Sequence, residues 1–191
     1  MAIHITDDAA ADELLTNNSF ALLVGMMLDQ QYPMEHAFLG PQKVVGRFGS
    51  FDPAAIAVAD PEEFAALCAT TPAIHRFPGS MSARLQELAR IVVDQYDGRA
   101  ERIWTEAADG KDLLKRLQAL PGFGAQKAKI FVALVAKQLG VRPAGWEKAA
   151  GDYALDGFRS VADVVDPVSL QKVRDYKKAA KAATKAAATA G

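Results

Sequence analysis

The sequence predicts an all-α fold, and three observations carry that expectation. Apolar residues recur at helical spacing along most of the 191-residue chain. Helix-start signals, a capping side chain followed by proline or an apolar run, come at short intervals. β-branched alternation over five or more residues, the mark of a half-buried strand, is absent.

In chain order, an N-terminal helix precedes Asn18 and Ser19, either of which caps a helix carrying Phe20, Leu23, Val24, Met27 and Leu28. Pro33 closes or kinks it. Asp52-Pro53 and Asp60-Pro61 each pair a cap with proline at the first helical position, so two short helices start there. Pro72 and Pro78-Gly79 bracket a turn, His75-Arg76-Phe77. A long helix follows, with Leu85, Leu88, Ile91 and Val92 on one face, and runs to about Gly98. Asp109-Gly110 opens another, striped by Leu113, Leu114, Leu117 and Leu120. From Gly140 to Asp166 the periodicity fades, with one short turn at Trp146 to Ala150, and Pro167 starts the last helix. That helix is expected to dissolve into a disordered Lys/Ala tail, residues 177–191.

The longest apolar run, Phe20 to Leu28, is half the length of a membrane span and fits a core helix. Met1 to Asp12 is acidic and alanine-rich rather than a charged-then-apolar leader, so a cytoplasmic location is expected. Cys68 is the one cysteine, which leaves no set of four thiolates, and His4, His36 and His75 show no ligand spacing. The net charge of −1 is uneven: Lys172, Arg174, Lys177, Lys178, Lys181 and Lys185 face one acidic residue, Asp175. Such an end holds a polyanion loosely through counterion release, and it equally suits a solvated helix.

The segment that carries chemistry is Leu117-Gln118-Ala119-Leu120-Pro121-Gly122-Phe123-Gly124-Ala125-Gln126-Lys127-Ala128. An amphipathic helix, a tight Pro-Gly-Phe-Gly turn and a second helix to Leu139 succeed one another, the last burying Ile130, Phe131, Leu134 and Val135. Gly122 and Gly124 remove side chains where the backbone turns and is approached closely. The turn leaves unpaired N–H groups at the positive end of the second helix, a seat for phosphate, with Lys127 and Lys129 beside it. Glycines acting only as caps of a plain turn are the competing reading.

This string resembles the helix-hairpin-helix of DNA-binding proteins. With the upstream helix ending Met-Met-Leu-Asp-Gln-Gln and the helix from Ser82 to Val93, residues 18 to 139 are similar to the base-excision glycosylases of the endonuclease III and helical 3-methyladenine glycosylase type. The resemblance implies a two-lobed fold: residues 18–139 as a six-helix lobe with the hairpin at about 111–139, and residues 1–17 with 140–176 as the second lobe. It implies phosphate binding by the N–H groups of Gly122, Gly124 and Gln126, and a sodium or potassium ion on the carbonyls of Gln118, Leu120 and Phe123. Gln30 or Gln31 would fill the space left by a flipped nucleotide, and Phe77 would wedge the stack.

Two departures from the family pattern bear on mechanism. The position of the family's nucleophilic lysine is Gln126, whose amide forms no Schiff base, so strand cleavage by β-elimination is not expected. Lys127 stands one place on, about 100 degrees around the helix and expected to face the DNA backbone. The family's water-orienting aspartate has no counterpart about twenty residues after Gln126; Asp152 and Asp156 follow later and are the candidates. Asp163 and Asp166 read as a cap pair. A groove of Trp146, Tyr153 and Phe158 would stack on a flipped base, or pack as core. The expected protein is a monomeric, monofunctional DNA N-glycosylase acting on a damaged base in duplex DNA, without an iron–sulfur cluster; the alternative is a non-catalytic binder of distorted DNA.

Overall fold

The computed structural model describes the backbone of residues 2–189, with side chains to 186, and among these there is helix and no strand. The N-terminal half runs α1 (Ala9–Asn17), α2 (Ser19–Leu28), α3 (Met34–Phe38), α4 (Gly40–Phe48), α5 (Pro53–Val58), α6 (Pro61–Ala69) and α7 (Pro78–Tyr96). The C-terminal half runs α8 (Arg102–Thr105), α9 (Gly110–Gln118), α10 (Ala125–Gln138), α11 (Trp146–Ala150) and α12 (Pro167–Thr189), with 3-10 turns at Gly151–Ala154 and Val161–Asp163.

The caps stand where the sequence puts them. Asn18, rather than Ser19, caps α2 by accepting the Ala21 N–H at 2.9 Å. Asp52 accepts the Ala54 N–H, and Asp60 those of Glu62 and Glu63, so α5 and α6 start at their Asp-Pro pairs. Asp109 accepts the Asp112 N–H at 2.7 Å and opens α9. Asp166 accepts the Ser169 N–H at 2.6 Å and starts α12. The other half of the expected cap pair, Asp163, closes a capping box with Ser160 and binds Lys137 at 2.6 Å.

α2 is apolar all round, so it can only be central. Phe20 through Leu28 are buried, and each large side chain among them contributes about 1.5–3 kcal/mol by leaving water. The helices α1, α3 and α4 pack around it, while α7 lies on α5 and α6. On the other side α10 is the hub, packed by α9, α11 and both 3-10 turns. One continuous core spans from Ile3 to Val173 and takes in residues on either side of Gly140. The Gln138 amide donates to the carbonyls of Val161, Ala162 and Val164 and so pins the irregular segment to α10.

Residues 177–189, where a Lys/Ala tail is expected, continue α12 as helix, and residues 190 and 191 of that expected tail lie outside the described residues. Alanine has the highest helix propensity and lysine is close behind, so a Lys/Ala run propagates a helix already nucleated at Pro167. Two ion pairs fold α12 back toward the N-terminal half: Arg174 to Glu35 at 2.7 Å and Lys177 to Asp29 at 3.7 Å. No helix is long and apolar enough among the described residues to cross a membrane.

Gly110 is where α9 touches the segment before α11. Its N–H donates to the Ala144 carbonyl at 2.8 Å, and a Cβ there would lie 2.7 Å from the backbone of Gly145 and Trp146. Backbone cannot swing aside as a side chain can. Gly110→Ala is therefore expected to cost about 2 kcal/mol or more, read as a lower urea midpoint. Gly79→Ala, whose Cβ meets nothing within 4 Å, should leave the midpoint nearly unchanged.

Candidate nucleic-acid interface

The hairpin between α9 and α10 is closed by the Phe123 N–H, which donates to the Leu120 carbonyl at 3.2 Å. Phe123 is buried edge-on against Phe131 of α10, ring centroids 5.8 Å apart, and this anchors the turn from beneath. Gly122 has φ +81°, and a Cβ there would meet the side chains of Arg84 at 3.0 Å and Met27 at 3.1 Å. The turn therefore requires glycine for both its conformation and its close passage over α2. Gly124 is the N-cap of α10, no side chain caps that end, and an added Cβ would meet nothing within 4 Å. The first N–H groups of α10 have no acceptor within the helix, and the ground around Gly124 is open.

Opposite the hairpin lies the C-terminal end of α2. Asp29 is its cap, Gln30 and Gln31 are exposed, and Gln31 takes a left-handed backbone at φ +53°. That turn is held from the far side of the chain. The His75 ring meets the Gln30 carbonyl at 3.0 Å through Nε2, and its Nδ1 accepts the Phe77 N–H at 3.1 Å. Arg84 donates to the Gln30 side-chain oxygen at 2.9 Å. Phe77 is 49% exposed, with the Arg76 guanidinium 5.0 Å over its ring. Both glutamines and Phe77 thus sit on one edge, beside the hairpin.

Lys127 does not point outward to a DNA backbone, as its helix position suggested. Its amine donates to the Met27 carbonyl at 2.8 Å, closing the end of α2 against α10. The last carbonyls of a helix lack N–H partners and carry the negative end of the dipole, so a cation reaching them is favoured over one left in solvent. Burial lowers the Lys127 pKa to about 8; nearby Arg84 adds to the shift and Asp29 opposes it. Lys129 remains exposed.

Between α10, the turn after α11 and α12 is a pocket of about 440 Å³, in the size range of small-ligand sites, about 300–1,000 Å³. Gln126 and Lys129 line it from the hairpin helix, Asp152 and Tyr153 from the 3-10 turn, and Tyr176 and Lys177 from α12. The Gln126 amide donates to the Tyr153 hydroxyl at 2.8 Å. Asp152 is thus brought to the hairpin helix. Asp156 is exposed and does not line the pocket. Of the aromatic trio only Tyr153 faces it: Trp146 packs against the core, and Phe158 lies under the Lys172 amine at 4.5 Å. A second pocket of about 500 Å³ separates the N-terminal segment from the start of α12, and contains no hairpin residue.

Arg84 and Tyr176 belong to the site with no sequence motif to mark them, Asp29 stands only within the Met-Met-Leu-Asp-Gln-Gln string, and Lys177 stands only among the basic residues of the chain end. Arg84 lies on the polar face of a long helix and Lys177 within a low-complexity run, and neither position carries a local signal.

Residues 24–187 match the family profile of the HhH-GPD superfamily base excision DNA repair proteins. Comparison with curated proteins and with solved structures gives no match.

Gly124→Asp would set a carboxylate before the open N–H groups of α10 without crowding any neighbour. DNA affinity, read by fluorescence anisotropy, should fall at least tenfold with helicity intact. Unchanged affinity in the folded variant would remove the hairpin as the contact.

Proposed function

The chain belongs to the HhH-GPD superfamily of base excision DNA repair proteins, and from that premise we propose that it is a monofunctional DNA N-glycosylase acting on a damaged base in duplex DNA. The observation that carries the reading is the shared pocket: Asp152 lies across from Gln126 and Lys129 of the hairpin helix. A water attacking the sugar carbon needs a negative group within about 3–4 Å, to align it and to balance the oxocarbenium-like charge. Asp152 supplies that carboxylate, and Tyr153, held by Gln126, supplies an aromatic face for the flipped base.

The positive surround favours DNA despite the net charge of −1. The open end of α10 and Lys129 take phosphate, and Arg76, Arg84 and Lys177 flank the glutamine turn and the pocket. Gln30 or Gln31 enters the gap left by the flipped nucleotide while Phe77 stacks in the opened step, offsetting the few kcal/mol lost on unpairing. A sodium or potassium ion would be held by the turn carbonyls of Gln118, Leu120 and Phe123, neutral oxygens of the class such ions take in place of hydration water. The Leu120 oxygen already accepts the Phe123 N–H and would offer its second lone pair.

Because Gln126 forms no imine, the product should be an abasic site that breaks only after alkali, with no borohydride-trapped protein–DNA adduct. Asp152→Asn should keep DNA binding and slow base release about 100-fold or more, the scale of losing one such electrostatic group. The measurement is single-turnover release on a panel of duplexes with different damaged bases. A trapped adduct would point to an amine nucleophile, Lys129 of the pocket or Lys127 released from the Met27 carbonyl. Tight binding with no release from any duplex would leave a binder of distorted DNA.

A further inference from the structure

His75 is 1% exposed and both of its ring nitrogens are engaged. The Phe77 N–H can only donate, so Nδ1 carries no proton; the neutral ring then has its proton on Nε2, which donates to the Gln30 carbonyl. One side chain therefore fixes one tautomer by joining two exposed prongs that are 45 residues or more apart in sequence. The Tyr32 ring packs against the imidazole in a tilted contact, centroids 4.7 Å apart. The Arg76 guanidinium reaches the Gln31 carbonyl at 3.5 Å and covers Phe77, so the two prongs share a second tie.

We propose that His75 is the positioning residue that locks the Gln30–Gln31 turn and Phe77 into one rigid edge for opening the DNA stack, and that a second proton on the ring unlocks it. This rests on the reading of those three residues as the inserting edge.

The unlocking follows from donor count and charge. A proton on Nδ1 would set two donors, Nδ1–H and the Phe77 N–H, against each other at 3.1 Å, and the Phe77 bond is lost. The groups facing the ring leave the new charge unpaired: Lys127 from α10, Arg76 from the preceding turn and Arg84 from α7 are cations. Tyr32 is neutral, and His36 lies beyond it at 5.9 Å from the Tyr32 ring. Asp29, the carboxylate on this side, is engaged with Lys177 and Lys127. Burial lowers the His75 pKa below the ordinary histidine value; the Gln30 carbonyl opposes it in part, and Lys127, Arg76 and Arg84 each add a smaller downward push. The lock is thus closed at neutral pH and opens only as pH falls below the usual histidine range.

The two bonds can be separated by substitution. Asparagine puts an acceptor oxygen near the place of Nδ1 and does not titrate; phenylalanine keeps an aromatic ring, somewhat larger than imidazole, and removes both bonds. The probe is a duplex carrying 2-aminopurine beside a tetrahydrofuran abasic analogue, saturated with the full chain, with fluorescence reporting unstacking from pH 8 to pH 4.5 and circular dichroism reporting folding. Wild type should show full enhancement above pH 7 and at least a fivefold loss in acid. His75→Asn should keep at least half of the enhancement with a flat profile, and His75→Phe should lose most of it at every pH while hairpin-mediated affinity changes less than threefold. A flat wild-type profile, or unstacking by His75→Phe equal to wild type, overturns the proposal. Phe77→Ala tests the edge itself: full unstacking by that variant removes the inserting-edge reading, and the role of His75 with it.

Discussion

The bond from the Lys127 amine to the Met27 carbonyl is the contact on which the site depends. It spans 100 residues of sequence and ties the start of the hairpin helix to the end of the most buried helix in the chain. Helix ends are where backbone groups lack partners, and here the two kinds of end are set side by side: α10 offers N–H groups and α2 offers carbonyls. Of the last α2 carbonyls, Met27's is answered by the lysine and its neighbours' by the Asp29 and Gln30 N–H groups, while the N–H groups of α10 are left open. A cation at a partly buried helix C-terminus contributes up to about 2 kcal/mol, and this one also fixes the spacing between hairpin and glutamine turn. Gly122 is the complement of that contact, since any side chain there would push Met27 and Arg84 away.

From that joint the rest of the interface follows by short steps. Arg84, displaced from no one by a bare Gly122, reaches the Gln30 side chain. His75 and Arg76 take the carbonyls of the exposed turn, which its left-handed Gln31 leaves without helical partners. Lys177 meets Asp29 and brings α12 over the pocket that Asp152 shares with Gln126. A chain with almost no net charge thus sets Arg76, Arg84, Lys129 and Lys177 along the turn, the hairpin helix and the pocket, and local rather than total charge governs attraction to a polyanion.

Much of this was legible in the sequence because it is written in local signals. Asp-Pro pairs, the Asn18 cap and the Asp109-Gly110 start are decided by neighbours a few residues away, and each marks a real helix end. The hairpin was legible for the same reason, as glycines, proline and flanking apolar stripes lie within one short string. The helices α3, α4 and α8 escaped notice: none has a side-chain cap bond, and α3 and α8 are a turn or so long. The direction of Lys127 was not legible either, since helix position gives the angle of a side chain but not the carbonyl waiting for it across the fold. At the tail composition left two readings open, since high helix propensity and low complexity look alike in a list of residues, and residues 177–189 are helical.

Amide hydrogen exchange on the full chain, with and without a duplex bearing an abasic analogue, tests most directly that hairpin and glutamine turn form one DNA-binding edge. Protection should rise together in three separate stretches: 121–128, 29–32 and 75–78. Protection confined to other surfaces, such as α5 and α6, or a hairpin that responds while the other two stretches do not, would contradict it.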